Sequence, residues 1–147
     1  MCGIVGEVSF KAVNSSNWVK NALNSIKHRG PDNEGIWCSE DKKIIFGHRR
    51  LSIIDLSKDG TQPMHSECKN YVITFNGEIY NYKDLRRRLE GNFRTNSDTE
   101  VILKAYQKWG KECVKYFRGM FSFALWDESQ NELFCARDHF GIKPFYY

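Results

Sequence analysis

Proline is scarce in this chain, at three of 147 residues, and no uninterrupted apolar run comes near the length of a membrane span. A membrane-spanning segment is therefore not expected. Nor is a secretory signal peptide, because residues 14–27 interrupt any apolar stretch starting at the N-terminus. No C-x-x-C spacing occurs, and the five cysteines (Cys2, Cys38, Cys68, Cys113, Cys135) are odd in number and scattered. That argues against a disulfide framework and a zinc site, and for a reducing compartment, hence a cytoplasmic location. Charge of one sign is lacking too: 22 basic against 18 acidic residues leave +4, too mild to imply nucleic acid. Internal repeats, low-complexity segments, linkers and phosphate-binding glycine loops are absent.

What remains is a chain long enough for one domain with a real core. Aromatics reach 14 %, which favours sheet. Residues 3–10 alternate loosely and read as a first strand. Residues 17–27 place Trp18, Val19, Ala22, Leu23 and Ile26 on one face at helical spacing, with Ser15 or Ser16 as the cap. Residues 36–38 and 43–47 read as a hairpin around Glu40-Asp41, and residues 71–75 as a strand ending in Asn76-Gly77-Glu78. Asn81 is placed to cap a short helix with Leu85 and Leu89 inward. Ser97-Asp98-Thr99-Glu100 has capping-box spacing and opens a helix to Trp109 whose buried face is Val101, Ile102, Ala105, Tyr106 and Trp109. A short helical stretch over 112–117 follows, then a hairpin of 121–126 with 132–137, and a strand over 142–147. Strands and helices come in blocks, so the fold class is α+β with antiparallel sheets. Because the last apolar run stops at Tyr147 with nothing to close it, the domain is expected to be incomplete at its C-terminus.

Four features carry candidate chemistry. Cys2 follows the initiator methionine. If Met1 is trimmed, one residue holds both a thiol and a free α-amine. A nucleophile then has its own base, although a cysteine could also simply fall at position 2. Asn76-Gly77 is a common hairpin turn signal, yet a side-chain amide and an adjacent N–H can also converge on an oxyanion. Arg49-Arg50 must diverge if extended, and one of them could fork onto a carboxylate. Asp98 suits a helix first turn and equally a ligand ammonium. The triple Arg86-Arg87-Arg88 reads as a solvated helix face, and the four histidines are too far apart in sequence to suggest a metal.

Met1-Cys2-Gly3-Ile4-Val5-Gly6, His28-Arg29-Gly30-Pro31-Asp32, Arg50-Leu51-Ser52-Ile53-Ile54-Asp55 and Gln62-Pro63-Met64 occur in that order. Asn76-Gly77-Glu78-Ile79-Tyr80-Asn81, Ser97-Asp98-Thr99-Glu100, the run Gly119 to Asp127, and the run Arg137 to Pro144 follow. Together they resemble the glutaminase domain of class II glutamine amidotransferases, specifically of glutamine-hydrolysing asparagine synthetases, over essentially the whole chain. The resemblance implies an N-terminal-nucleophile hydrolase fold, an αββα sandwich of two antiparallel sheets flanked by helices. It implies that residues 1–147 are a C-terminally truncated amidotransferase domain, with the ATP-dependent synthetase domain absent. It further implies hydrolysis of L-glutamine to glutamate and ammonia through a γ-glutamyl thioester. Cys2 matches the nucleophile, while Asn76 and the Gly77 N–H match the oxyanion hole. Arg50 matches the binder of the glutamine α-carboxylate, Asp98 that of the α-amine, and Glu78 lines the same pocket, with Leu51, Ile53 and Ile54 as wall. The glutaminase half needs no cofactor; ATP and Mg2+ belong to the synthetase domain. Implied partners are L-glutamine and that synthetase domain, with a homodimer left open and neither nucleic acid nor membrane expected. The default acceptor of the ammonia is aspartate. The alternatives are a sugar or secondary-metabolite acceptor, or a non-catalytic glutamine-binding scaffold.

Overall fold

The computed structural model describes residues 2–13 and 17–147. Met1 and both candidate capping serines, Ser15 and Ser16, lie outside the described residues. Among the described residues, seven strands form two antiparallel sheets. β1 (Gly3–Val8), β2 (Asn33–Cys38) and β3 (Ile44–Arg50) make one, in the order β1-β3-β2. β4 (Met64–His65), β5 (Tyr71–Ile79), β6 (Gly119–Asp127) and β7 (Glu132–Arg137) make the other, in sequence order. Helix α1 (Asn17–Ser25) packs on the first sheet; α2 (Tyr82–Arg88) and α3 (Asp98–Trp109) pack with the second. The result is the expected four-layer α–β–β–α sandwich.

Side-chain alternation along the central strands divides the core into three apolar layers. On β3, Ile45 points to α1 and meets Val19 and Leu23, while Ile44 and Phe46 point into the sandwich. On β5 and β6, Ile73, Phe75, Phe121, Phe123 and Leu125 face α3, where they meet Val101, Ile102 and Ala105. Val72, Ala124 and Trp126 face the other sheet. The layer between the sheets is graded. One end is apolar (Ile44, Val72, Trp126), and the end nearer Cys2 carries His48, Thr74, Asn76 and Ser122, all buried.

Several local expectations are corrected. β5 runs straight through Asn76-Gly77, which pair with Ser122 and Phe121 of β6, so the dipeptide is strand rather than turn. The first strand stops at Val8 and the first helix at Ser25, followed by a short 3-10 turn. Trp18 leaves the buried helix face, is 41 % exposed, and donates its indole N–H to Glu7. Asn81 sits at the start of α2 but does not cap it: its amide instead donates to Tyr116 O and accepts from the Arg118 N–H, both at 2.9 Å. The stretch after α3 is 3-10 from Gly110 to Tyr116. Ser97 caps α3 as expected, but Glu100 reaches back to the N–H groups of Arg94 and Thr95 rather than to Ser97. In the arginine triple Arg87 and Arg88 are exposed as expected, Arg87 pairing with Asp84, and Arg86 is half-buried. Arg86 covers Phe93 at 4.0 Å, and Arg88 lies over Tyr116 and Trp109.

Residues 142–147 form no strand. Their first N–H groups are claimed by one carboxylate. Asp138 accepts from Ile142 and Lys143 at 2.8 and 2.9 Å, and from Phe140 and Phe121 at 3.2 Å each. Burial opposes ionisation of Asp138, but these four donors outweigh it and hold the carboxyl below its ordinary range. No helix among the described residues is long and apolar enough to cross a membrane.

Candidate active site

β1 begins at Gly3, paired with Arg49 of β3, so Cys2 is delivered beside the end of β3. There the Leu51 N–H points at the Cys2 sulfur at 3.4 Å, and the thiol faces the Leu51 carbonyl at 3.7 Å. Arg29 fixes the backbone from the other side, its Nε–H donating to the Cys2 carbonyl at 3.1 Å. The turn containing Arg29 is tied to the same strand end, since the Asp32 carboxylate accepts the Ser52 N–H at 2.7 Å.

The two consecutive arginines diverge as alternation demands. Arg49 points toward α1, donating to Leu23 O and Asn24 Oδ1 at 3.0 Å each and pairing with Glu34. Arg50 points the opposite way. Its guanidinium donates from Nη1 to Ser57 O at 2.7 Å and from Nη2 to Asp55 O. A guanidinium has five N–H groups, so these two contacts leave donors for a ligand. Gly60 makes room for this arrangement, since a Cβ there would stand 2.3 Å from Arg50 Nη2. Asp55 closes the loop: its carboxylate accepts the N–H groups of Ser57 and Asn96 at 2.8 Å each, joining it to the start of α3.

Asn76 and Gly77 lie on β5 opposite Ser122 and Phe121 of β6. A Cβ on Gly77 would meet Met120 O at 2.2 Å, so only glycine fits this position. Asp98, in the first turn of α3, accepts the Ile79 N–H at 2.9 Å, which brings the end of β5 and the helix together. Cys2, Arg50, Leu51, Ile53, Ile54, Asn76, Gly77, Glu78 and Asp98 all line one cavity of about 80 Å³. Every site residue that the resemblance implied is thus brought to a single place, while Arg49 stays outside it.

Sequence reasoning left other wall residues out. Gln62 bridges β5 and α3, accepting the Phe75 N–H at 2.7 Å and donating to Thr99 Oγ1 at 3.2 Å. Lys143 reaches the same cavity at 2 % exposure, placed by the Asp138 turn. Burial and the Arg29 charge pull it below the ordinary lysine range, against the opposing pull of Cys2, Asp138 and Glu78. Both residues belong to segments noted for their resemblance, Gln62-Pro63-Met64 and Gly141-Ile142-Lys143-Pro144. No local pattern marks either as a wall residue, because their burial depends on distant pairings.

Asp98 is electrostatically costly. Burial first, and then the neighbouring Glu78 charge, push its carboxyl up to about 6, although the Ile79 N–H and nearby backbone donors oppose the rise. The fold therefore prefers the protonated acid. Stability linked to this group is full below about pH 4 and falls as pH rises to about 6. Above that, the ionised carboxylate costs about 3 kcal/mol. Asp98→Asn, which can still accept the Ile79 N–H, is expected to raise the melting temperature at pH 8 by several degrees. At pH 4 it should leave the temperature almost unchanged. Thermal unfolding at the two pH values checks this.

A family model described as a glutamine amidotransferase domain matches residues 1–147. An asparagine synthetase (glutamine-hydrolyzing) 3 of Bacillus subtilis is 42 % identical over 154 residues, covering 100 % of this chain and 25 % of the relative. A putative asparagine synthetase (glutamine-hydrolyzing) 2 of Methanocaldococcus jannaschii is 42 % identical over 163 residues, covering 100 % of the chain and 32 % of the relative. A protein named amidase chry2 from Gibberella zeae is 42 % identical over 131 residues, 88 % of the chain and 20 % of the relative. The chain thus spans between a fifth and a third of the length of these relatives.

Proposed function

The chain belongs to the glutamine amidotransferase domain family, and from that premise we propose that it hydrolyses L-glutamine to glutamate and ammonia at Cys2. The observation that carries the reading is one cavity wall combining a thiol, an amide beside a glycine N–H, and two opposite charges, Arg50 and Asp98. A free amino acid presents those complements: an α-carboxylate for Arg50, an α-ammonium for Asp98, and a side-chain amide for the thiol. The ammonium would hold Asp98 ionised, so the destabilising carboxylate is retained for binding.

With Met1 removed, the Cys2 α-amine takes the thiol proton and the sulfur adds to the carboxamide carbon. Negative charge moves to the carbonyl oxygen, where the Asn76 amide and the Gly77 N–H receive it. The ammonium formed on Cys2 returns its proton to the departing NH2, releasing ammonia and leaving a γ-glutamyl thioester. Water, deprotonated by the same amine, then hydrolyses the thioester and restores the thiol. Lys143 and the Leu51 N–H add positive potential around the sulfur. No metal takes part in these steps.

In the whole protein the ammonia would serve ATP-dependent amidation of aspartate to asparagine, a reading supported by the names of two of the relatives above. An equally similar relative is named an amidase, so the matched residues do not by themselves fix the acceptor. Arg50→Ala is expected to raise the KM for glutamine by roughly 100-fold, the scale of a lost charge-assisted contact. Arg49→Ala, which removes a guanidinium bonded to α1 and Glu34, should change KM less than about threefold. Equal effects on KM in steady-state ammonia release would contradict this pocket register.

A further inference from the structure

Three buried polar groups stand together between the sheets, behind the cavity. Asn76 of β5 and Ser122 of β6 are directly paired across the ladder, and both side chains face the other sheet. His48 of β3 faces them from that sheet, its Nε2 3.0 Å from Phe75 O, while Thr74 Oγ1 reaches the neighbouring Gly47 O at 3.4 Å. His48 and Ser122 are fully buried and Asn76 is 4 % exposed. Asn76 Oδ1, Ser122 Oγ and His48 Nδ1 are all buried without a hydrogen-bond partner among the described residues. A fourth such atom, Trp126 Nε1, is four residues along β6, about 13 Å away at strand rise, and plays no part.

The donor count decides what this arrangement requires. Burial drives the His48 imidazole down to about 4, so the ring is neutral at physiological pH. Its Nε2–H then donates to Phe75 O, and Nδ1 is an acceptor. Asn76 Oδ1 is a second acceptor. Ser122 offers one O–H, so the three side chains are one hydrogen short, and an unmet buried polar group is destabilising. A single water closes the account: it donates one hydrogen to Asn76 Oδ1 and one to His48 Nδ1, and accepts the Ser122 O–H. Three polar partners are what a buried water ordinarily has.

We infer that a buried water held by Ser122 and His48 fixes the Asn76 amide with its oxygen inward and its NH2 toward the cavity. Ser122 and His48 are thereby positioning residues for the oxyanion donor. The assignment rests on the glutaminase reading, because without an oxyanion the orientation of Asn76 would have no chemical consequence.

The test uses the protein with whatever chain extends beyond Tyr147. Ser122→Ala should lower kcat for glutamine hydrolysis about tenfold, a fraction of the 100- to 1,000-fold seen when a donor is lost outright. The KM should stay within about twofold. In an Asn76→Ala background, Ser122→Ala should cause no further loss of kcat. An equal loss in both backgrounds, or a loss carried by KM, overturns the assignment. A crystal structure of the unaltered protein that resolves waters provides an independent check. It should show one water within 2.6–3.2 Å, an ordinary hydrogen-bond range, of all three atoms. A dry gap there, or an Asn76 amide turned the other way, overturns the inference. If the unaltered protein releases no ammonia from glutamine, the proposed function fails, while the presence or absence of the water still decides the positioning claim.

Discussion

Replacing Cys2 by alanine is expected to reduce glutamine hydrolysis by roughly four orders of magnitude or more, to the background of uncatalysed ammonia release. Cys2→Ala removes the atom that forms the covalent intermediate and keeps the α-amine. What survives is the binding of glutamine by Arg50 and Asp98, so the variant should still bind it with affinity near that of the unaltered protein. The structure bears on how cleanly this can be read. Among the described residues the thiol's hydrogen bonds are to the Leu51 backbone, and Cys2 is half-buried, so its truncation should barely disturb the fold. The fixing contacts at this end of β1 are made by the Cys2 carbonyl with Arg29, and by Gly3 pairing with Arg49. Measuring ammonia release together with glutamine binding by calorimetry separates lost chemistry from lost structure. Residual turnover near that of the unaltered protein would remove Cys2 from the mechanism.

Asn76→Ala should be the next most damaging change, with a 100- to 1,000-fold fall in kcat and a KM altered by less than about threefold. The split between the two constants is the informative part. An amide that meets only the oxyanion contributes in the transition state and little before it. The Gly77 N–H remains in the variant, because its position is enforced by the approach of β5 to Met120 and Phe121 rather than by the Asn76 side chain. Some oxyanion stabilisation should therefore persist, which is why the expected loss stops short of that for Cys2→Ala. Steady-state kinetics on ammonia release measure both constants. A loss appearing wholly in KM would make Asn76 a ground-state binder and would leave the oxyanion without its side-chain donor.

Much of this site was legible because its residues sit in short segments whose chemistry is unusual. Cys2 after the initiator, two arginines at a strand end and a carboxylate in a capped first turn each raise a question at once. The α+β class with antiparallel sheets followed from strands and helices coming in blocks, while the sandwich itself came from the family resemblance; the structure then shows which side chains of β3, β5, β6, α1 and α3 face which layer. Other features were hidden for physical reasons. Asn76-Gly77 has the composition of a hairpin turn, and only its pairing with Ser122 and Phe121 makes it a strand. Residues 142–147 have the composition of a strand, yet Asp138 takes the N–H groups that a ladder would use. Asn81 suits a helix cap but spends its amide on Tyr116 and Arg118 instead. His48, Ser122 and Lys143 carry no local mark of burial, because what buries them comes from strands and turns far away in sequence.

The central claim is that Cys2, freed of Met1, is the nucleophile and its own α-amine the base. A glutamine analogue carrying a diazoketone in place of the carboxamide should alkylate the attacking thiol, and peptide mass spectrometry of the active protein locates the adduct. The account predicts a single label on Cys2, in a peptide that begins at Cys2 with a free α-amine. A label on Cys38, Cys68, Cys113 or Cys135, or a labelled Cys2 still preceded by Met1 in fully active protein, would contradict it.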